Sequence, residues 1–346
     1  MGSIIPTPFK STLPVILGAL EWGCFDHIDG LVDPFPTVES VAPMIDLFQS
    51  HGHNKLDTNR LYGLGRSEKL IGESDWETRG LTIETKLYPT KYRFLGELKK
   101  PYNHGPDDLR EGLMDSLELL KAKKIDTWFL SAPDRSTPFE VTMKTVNDLY
   151  NEGYFVRFGL SNFKAWEVAQ LQEICIKHGW VRPTVFQGIY NALLRDIEPE
   201  LVHCIRHYGM SLEAAQPLAS GMLAYRLTPD QVHPIGSRFD PNPDNIIGRH
   251  LRVRYLHQPY FDAMEIIHKA AKKHGFTEQE CAMRWLTHHS VLDKDLGDAI
   301  CVGGGTLEHL EENLTDLEKG PLPQDVVDAF EEAWTVASAH RYAYWH

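Results

Sequence analysis

Three polar residues of the chain have the types and spacing of a proton-transfer site. Asp57 ends a short strand-like run, Tyr62 follows in a glycine-bearing loop, and Lys86 closes a second strand-like run. An ammonium beside a phenol favours the phenolate, so Lys86 is expected to lower the pKa of Tyr62 toward neutrality. Asp57 is expected to keep that ammonium charged and in place. The set predicts a phenol that donates a proton to a carbonyl oxygen, although three ordinary polar loop residues fit the spacing equally well.

The elements that carry these residues alternate between short apolar runs and longer helical runs, about eight times. This pattern predicts an α/β fold, a (β/α)8 TIM barrel with C-terminal helices. A doubly wound open sheet is the alternative, weakened because no Gly-x-Gly-x-x-Gly fingerprint follows the first strand. Predicted strands cover 13–17, 55–59, 81–86, 125–130, 154–160, 183–187, 210–215 and 299–302, and predicted helices cover 38–50, 106–120, 139–151, 165–178, 200–207, two stretches after 258, one after 306, and 324–339.

A long irregular segment follows the seventh predicted strand, at about 221–258. It is rich in Pro, Gly, Asp and Arg, which is typical of a lid or a binding loop. No shift in composition marks a domain boundary, so residues 1–346 are expected to form one barrel domain. Barrel active sites lie at the carboxyl ends of the strands, where Asp57, Lys86 and Ser131 are all expected.

Composition excludes several classes of partner. The 346 residues are 42% hydrophobic and 24% charged, with a net charge of −13 and no basic block. We therefore expect neither nucleic acid nor an anionic membrane surface as a partner. No apolar run approaches the roughly 20 residues of a membrane span, and the N-terminus lacks the features of a signal peptide. The sequence predicts a cytoplasmic protein and leaves its oligomeric state open, a homo-oligomer included.

Cysteine and histidine spacing predicts neither disulfides nor a metal site. The five cysteines are odd in number, widely separated and form no Cys-x-x-Cys pair. The chain has 17 histidines, but the neighbouring pairs do not place two ligands on one helix face. Those pairs are His51 with His53 and His288 with His289.

The motif at 51–58, His-Gly-His-Asn-Lys-Leu-Asp-Thr, and the motif Leu61-Tyr62-Gly63 resemble those of the aldo-keto reductase superfamily, closest to its aflatoxin-aldehyde-reductase branch. The resemblance extends from about Leu17 to about Trp334. It implies a barrel, an oxidoreductase of secondary metabolism, NADPH as cofactor and a small-molecule carbonyl substrate. Further matching motifs are Ser161-Asn162, Gln187-Gly188, Pro217-Leu218-Ala219, the run at 236–239 and Leu307-Glu308.

By this resemblance, Asp57, Tyr62 and Lys86 match three members of a catalytic tetrad in which Tyr62 is the general acid. The fourth member is normally a histidine, and Ser131 stands at its position. A serine donates a hydrogen bond but does not titrate near neutrality. Its presence is expected to weaken proton relay and carbonyl orientation by about 10²-fold or more.

The resemblance also implies a cofactor site, with departures at several positions. Ala215 replaces an aromatic residue that stacks on the nicotinamide, while Gly305 and His309 replace a serine and a glutamine of the adenosine-phosphate loop. Together these changes are expected to weaken NADPH binding by about 10²- to 10³-fold, or to abolish its use. The matching positions are Ser161, Asn162 and Gln187 for the carboxamide, Leu218, Ser220 and Gly221 for the pyrophosphate with Arg238 as its clamp, Gly303 in the phosphate loop, and Glu312 and Asn313 for the adenine.

Aromatic residues near the expected barrel mouth are candidates for a pocket that binds a bulky or aromatic substrate. Trp22 resembles a substrate-pocket residue of the family, and Trp128, Tyr88 and Tyr225 are further candidates, although packing roles fit these three as well. Trp345 is expected to be a loose end.

Two other functions stay open from the sequence. The departures at Ser131, Ala215, Gly305 and His309 favour a cofactor-independent isomerase, lyase or rearrangement catalyst that uses Tyr62 with the neighbouring lysine. A non-catalytic subunit that senses nucleotides is a third interpretation. The retained tyrosine and its two charged neighbours argue against it, because a pure binder has no need of a tuned phenol.

Overall fold

The computed structural model describes residues 10–23, 34–91, 100–224, 227–235, 237–242 and 245–346, apart from two side chains early in the helix that starts at 246. Eight strands pair in parallel and in sequence order, and the last pairs with the first to close a barrel. The predicted fold class is therefore confirmed. The strands are β1 Val15–Gly18, β2 Lys55–Asp57, β3 Thr82–Leu87, β4 Ile125–Leu130, β5 Phe155–Ser161, β6 Pro183–Ile189, β7 Ser211–Ala215 and β8 Ala299–Val302.

Helices follow most of the strands and pack around the barrel. Helix–helix contacts are most extensive between the last helix and the one that begins at Gln258. In the described ranges the α-helices are α1 Val38–Ser50, α2 Arg66–Gly72, α3 Pro106–Leu119, α4 Phe139–Asn151, α5 Ala165–His178, α6 His203–His207, α7 Ile246–Tyr255, α8 Gln258–His274, α9 Glu278–His288, α10 Leu307–Leu317 and α11 Gln324–Ala337.

Apolar periodicity explains how the helices attach to the barrel. In α3, Leu109, Leu113 and Leu117 recur at helical spacing, and each is at most 6% exposed. Pro106 lies in the first turn of that helix, where its missing N–H removes no helical bond. The stripe predicted from the sequence is the face that α3 buries.

Parallel register brings the predicted site residues to one rim. Gly18 pairs with Asp57, and Asp57 pairs with Glu84, while Lys86 pairs with Phe129. Because all eight strands run in the same direction, their carboxyl ends form one mouth. The strand order alone therefore brings β2 and β3 side by side with their polar ends together.

The predicted irregular segment after β7 is wrong in its last third. Helix α7 lies within it, and the Asn245 side chain caps this helix by accepting a bond from the backbone N–H of Gly248 at 2.7 Å. Its arginine-rich sequence hid the apolar period, although Tyr255 at its end is fully buried. Helix α2 was also not predicted, and the stretch predicted as helix 200–207 begins earlier, with a π-helical turn at Glu198–Val202.

Two remaining expectations concern membranes and cysteines. Over the ranges given above, none of the helices combines the length and the apolar character needed to cross a bilayer. Cys175, Cys204, Cys281 and Cys301 are free thiols, and Cys24 lies outside the described residues.

Candidate active site

Lys86 and Asp57 form a buried ion pair at the ends of β3 and β2. Each is 2% exposed. The Lys86 ammonium donates to Asp57 Oδ1 and, at 3.1 Å, to the backbone carbonyl oxygen of Thr58. Burial acts to lower the pKa of Lys86, but Asp57, with smaller contributions from Tyr62 and Glu84, outweighs it and the pKa is raised. The lysine is therefore charged and held in one position.

Tyr62 lies on a tight turn that only glycine permits. The turn begins with a bond from the Tyr62 N–H to the Asn59 carbonyl oxygen at 2.9 Å. The next residue, Gly63, has a φ of 52°, and a Cβ there would lie 2.1 Å from the carbonyl oxygen of Gly23. Any side chain at position 63 would collide with the loop after β1. The Leu-Tyr-Gly motif thus fixes where the phenol leaves the backbone.

The pKa of Tyr62 is raised above its ordinary value, not lowered. Burial is the largest cause, Lys86 acts to lower the pKa, and Asp57 acts to raise it again. The expectation that the pKa of Tyr62 falls toward neutrality is wrong, because the effect of burial outweighs that of the Lys86 ammonium. The interaction with Lys86 nevertheless has the predicted sign. A protonated phenol is the form that a general acid requires.

Ser131 is held in place by two asparagines. Asn59 Nδ2 donates to Ser131 Oγ at 3.1 Å, and Asn162 Nδ2 donates to its carbonyl oxygen at 2.6 Å. Asn59 Oδ1 also accepts a bond from the Leu61 N–H at 2.9 Å, so one buried side chain joins Ser131 to the turn of Tyr62. Sequence reasoning missed Asn59. Its position two residues before the bonded N–H, typical of an Asx turn, could have identified it.

Two buried glutamates below the ion pair were also missed. Gln187 Nε2 lies 2.9 Å from Asp57 Oδ1, 3.2 Å from Glu84 Oε1 and 3.1 Å from Glu213 Oε2. Lys55 lies beneath, 3.4 Å from Glu84 and 3.7 Å from Glu213. The sequence did contain a signal for these two glutamates, because each is a charged residue within a short, mainly apolar predicted strand.

The surroundings of Glu84 favour its protonated form over the carboxylate. Burial, followed by the neighbouring Glu213 carboxylate, raises its pKa well above the ordinary value, while Lys55 acts in the opposite direction. Four carboxyl groups, from Asp57, Glu84, Glu213 and Asp126, face two ammonium groups and the guanidinium of Arg157. A proton on Glu84 balances that charge.

The residues expected to hold a nicotinamide carboxamide lie at neighbouring strand ends. Ser161 and Gln187 are each 5% exposed, at the ends of β5 and β6. Asn162 has a φ of 62°, which turns its side chain back so that Nδ2 lies 3.1 Å from Ser161 Oγ. The structure thus brings these three residues to the rim beside Ser131 and Asp57.

A strained turn follows β7 where a pyrophosphate loop was expected. Gln216, Ala219 and Ser220 all have positive φ, from 50° to 57°. Gln216 Oε1 holds the turn by accepting bonds from the Ser220 hydroxyl at 3.3 Å and from the Tyr255 hydroxyl at 2.9 Å. Strain at non-glycine residues is kept where the surroundings fix the backbone, often at binding sites. Ala215 and Leu218 are half-buried around this turn, and Gly221 is buried.

Arg238, expected as a clamp over the pyrophosphate, binds an acidic residue. Its guanidinium donates through Nε to Glu21 Oε1 at 3.0 Å, and Nη2 contacts the same oxygen. A Cβ at Gly305 would lie 3.8 and 3.9 Å from the two carboxylate oxygens of Glu21. The loop after β1 therefore places a carboxylate between Arg238 and the loop after β8. Sequence reasoning gave Glu21 no role.

The loop between β8 and α10 is closely packed, as its glycines indicate. A Cβ at Gly304 would lie 2.9 Å from the backbone nitrogen of Leu310. Asn313 Nδ2 donates to the Gly303 carbonyl oxygen at 2.9 Å, which holds the loop against the helix. Thr306 caps α10 by accepting a bond from the His309 N–H at 3.1 Å. His309 is half-buried, while Glu312, the other expected adenine contact, is exposed.

Two expected substrate residues lie in the core instead. Trp22 is 1% exposed, in a short bridge with Phe35, and Trp128 is 0% exposed, with its ring 5.4 Å from that of Phe155. Both side chains are therefore almost completely shielded from solvent. Tyr225 lies outside the described residues.

The last residues of the chain cross the barrel mouth. The His346 N–H donates to the Asn162 carbonyl oxygen at 3.1 Å, and its Nδ1 lies 3.2 Å from the Tyr88 hydroxyl. The Trp345 ring packs under the Lys164 ammonium at 3.7 Å. The expectation that Trp345 is a loose end is wrong, because this cation–π contact fixes it to the barrel.

The histidines form no recognisable metal centre in the described part of the chain. No group of three or more His, Cys, Asp or Glu side chains there has the arrangement to hold a metal ion. His51 instead lies 2.6 Å from Glu318, and His53 stacks on Phe48 with ring centroids 5.4 Å apart.

Comparisons with known proteins agree with this geometry. The family model described as Aldo/keto reductase family matches residues 27–335. Aldo-keto reductase pigE of Monascus ruber is 44% identical, with both chains covered in full. Aflatoxin B1 aldehyde reductase member 2 of Homo sapiens is 37% identical, over 85% of this chain and 81% of that protein. The structure of glycerol dehydrogenase AKR11B4 from Gluconobacter oxydans has a TM-score of 0.71 at 21% identity, covers 94% of this chain and 91% of that one, and supports the fold alone.

Proposed function

The chain belongs to the aldo/keto reductase family, an oxidoreductase family, and on that premise we propose that it reduces an aldehyde or ketone with NADPH, using Tyr62 as the general acid. We propose a bulky or aromatic carbonyl compound as the substrate. The names of relatives that reduce aflatoxin B1 aldehyde support that choice.

One observation carries the proposal: a buried, charged lysine acts on the phenol of Tyr62. Lys86 is fixed by Asp57, and it is the largest influence that lowers the pKa of Tyr62. A protonated phenol donates its proton to a carbonyl oxygen. The phenolate that remains is stabilised by the ammonium. Reducing a carbonyl group requires this proton donation at oxygen.

The residues present fit a nicotinamide dinucleotide. Ser161 ends β5 and Gln187 lies two residues before the end of β6, the strained turn around Ser220 follows β7, and the glycine loop precedes the capped helix α10. A capped helix N-terminus with glycines before it suits a phosphate. When bound, NADPH supplies the hydride that is added to the carbonyl carbon.

The chain's own residues have three tasks in this reaction. Tyr62 transfers its proton to the carbonyl oxygen as the carbon gains the hydride. Lys86 holds the resulting phenolate, and Asp57 keeps Lys86 in place. Asn59 positions Ser131, whose hydroxyl is the group available to orient the carbonyl at the position where the resemblance implies a histidine. Tyr62, which is half-buried, then regains its proton from water.

A tyrosine substitution tests the proposal. In Tyr62→Phe we expect NADPH-dependent turnover of aromatic aldehydes to fall by about 10³-fold or more, since the proton donor is lost. Binding of NADPH, followed by quenching of tryptophan fluorescence, is expected to change less than threefold. Tyr150→Phe, at an exposed tyrosine on α4, is the matched control and should keep wild-type turnover.

Unchanged turnover in Tyr62→Phe would refute the role of Tyr62. Absence of binding of both NADPH and NADH to the wild-type protein, up to millimolar concentration, would refute the oxidoreductase proposal as a whole.

A second function is favoured by the carboxylate at the phosphate end of the site. Glu21 lies beside Gly305 and binds Arg238, where a cofactor phosphate was expected. A cofactor-independent isomerase, lyase or rearrangement catalyst would use Tyr62 and Lys86 on the substrate alone. Full turnover by protein stripped of nucleotide would support this alternative, whereas strict dependence on added NADPH would exclude it.

A further inference from the structure

Glu21 is placed on a loop where its carboxylate faces two parts of the expected phosphate site. It follows β1 by three residues, and its side chain is 13% exposed. On one side it accepts the Nε–H of Arg238 at 3.0 Å. On the other side it faces Gly305, where a Cβ would lie within 3.9 Å of both carboxylate oxygens. The carboxylate thus joins loops that follow β1, β7 and β8.

These two neighbours are the groups that would bind a phosphate. Arg238 is the cation of the expected clamp, and a guanidinium binds carboxylate and phosphate through the same donors. Gly305 directly precedes Thr306, the cap of α10, so that side of the site has the partial positive charge of a helix N-terminus. Glu21 therefore binds one of the groups that a phosphate would bind, and it lies beside the other.

We propose that Glu21 is an internal competitor for a phosphate of the nicotinamide dinucleotide, and that it reduces the affinity for NADPH more than that for NADH. A dinucleotide phosphate reaches Arg238 only if the Glu21 carboxylate releases it. NADPH carries an additional phosphate on its adenosine, so its repulsion by Glu21 is greater. This inference rests on the proposed function, since it assumes that a nicotinamide dinucleotide binds at this rim.

The strength of the effect follows from the setting of the pair. Arg238 is 36% exposed, so water screens the ion pair and its exchange for a phosphate is feasible. Like charges about 4 Å apart at a partly exposed site repel enough to change affinity by tenfold or more. We therefore expect Glu21→Gln, which keeps the shape and a hydrogen-bond acceptor for Arg238, to tighten NADPH binding by about tenfold or more.

The experiment measures dissociation constants for NADPH and NADH by tryptophan quenching at one fixed ionic strength. The proteins are the full-length wild type, Glu21→Gln and Glu308→Gln. Glu308 is an exposed glutamate in the first turn of α10, so its variant removes the same charge without touching Arg238. We expect the Glu308→Gln control to tighten binding by less than threefold, and Glu21→Gln to tighten NADPH more than NADH. Thermal unfolding of each variant verifies that it folds.

A double variant separates competition from a general charge effect. If Glu21 withholds Arg238 from the phosphate, Arg238→Met costs little affinity in the wild type and several-fold more in the Glu21→Gln background. Additive effects of the two substitutions would overturn the proposal.

The other outcomes are also decisive. Unchanged or weaker NADPH binding in Glu21→Gln, with normal binding in the wild type, overturns this inference and leaves the proposed function standing. Weaker binding would mean that Glu21 fastens the loops over the bound cofactor. Binding seen in Glu21→Gln alone supports the inference and shows that the wild type does not use NADPH. Failure of both proteins to bind either nucleotide overturns both proposals.

Discussion

The catalytic end and the phosphate end of the barrel mouth differ in how their charges are partnered. At the catalytic end, Lys86 binds Asp57, and Gln187 connects Asp57 to the glutamates of β3 and β7, all with at most 5% exposure. At the phosphate end, the pair of Glu21 and Arg238 joins two loops, and the arginine is 36% exposed.

This difference indicates which charged groups are held in place by the barrel and which can exchange one partner for another. Strand register holds the buried network, and breaking it leaves a charge without a partner in a region of low dielectric. A partly exposed pair between loops is screened and adds little stability, so a ligand can replace one member. The groups that we propose for proton transfer are thus built into the barrel, whereas we expect cofactor affinity to depend on loop charges.

The largest expected effect comes from a substitution in the buried network of Lys86 and Asp57. In Lys86→Met, turnover is expected to fall by about 10³-fold or more, and the free energy of unfolding by roughly 3–5 kcal/mol, because Asp57 is left charged and unpaired. Steady-state kinetics and urea unfolding measure the two quantities. Lys69→Met, at a lysine that is 59% exposed on α2, is the control and should resemble the wild type. More than a tenth of wild-type turnover in Lys86→Met would contradict the assignment.

A smaller effect is expected at the residue that joins Ser131 to the Tyr62 turn. Asn59→Ala removes bonds to Ser131 Oγ and to the Leu61 N–H, at a cost of about 1–3 kcal/mol in unfolding free energy. We expect kcat to fall about tenfold and KM to change little, since the proton donor loses its support. The exposed Asn151→Ala serves as control. An unchanged kcat would show that Asn59 acts on stability alone.

A substitution at Ala215 is expected to increase the affinity for the cofactor instead of reducing activity or stability. Ala215 is half-buried at the end of β7. The resemblance to the family implies an aromatic residue there that stacks on the nicotinamide. Ala215→Phe is expected to tighten NADPH binding by about fivefold, since a stacked ring contributes roughly 1 kcal/mol. Ala215→Leu adds bulk without a π face and should give no such gain. Equal affinities of the two variants would argue against nicotinamide stacking at this position.

The smallest effect at neutral pH is expected at Glu84. Because its pKa is raised in the folded protein, Glu84 contributes stability below its unfolded pKa, and this contribution is lost as pH rises through the folded pKa. Glu84→Gln mimics the protonated form and should change unfolding free energy by less than about 1 kcal/mol at pH 7. As the pH rises above the unfolded pKa, the variant should lose stability less steeply than the wild type. Urea unfolding from pH 5 to 9, with the exposed Glu77→Gln as control, measures this; equal slopes would exclude a neutral Glu84.

Local sequence patterns were sufficient to predict the barrel and part of the site. Most strands are short, mainly apolar runs that are largely buried, and Thr277 and Thr306 cap their helices as their sequences indicate. The carboxyl-end rule then brought Asp57, Lys86 and Ser131 to one rim. These features depend on residues that are neighbours in sequence or on the order of the strands, and both can be predicted from the sequence.

Other parts of the site depend on contacts between residues that are far apart in the chain, and local sequence patterns do not predict such contacts. The contact of Arg238 with Glu21 joins residues 217 positions apart, through loops without regular structure. Glu84 and Glu213 meet at Gln187 only after the barrel closes with its particular register. The burial of Trp22 likewise depends on the loop after β1 packing against Phe35.

The complete burial of Glu84 has a kinetic consequence for the barrel as a whole. Its side chain is fully shielded from water, so exchange of a proton on its carboxyl group requires the strands around it to separate. Exchange of that proton for deuterium should therefore be slow, at a rate set by transient opening of the barrel wall. The infrared C=O band of a protonated carboxyl group shifts as deuterium replaces the proton. The rate of that shift would therefore measure how often the barrel wall opens.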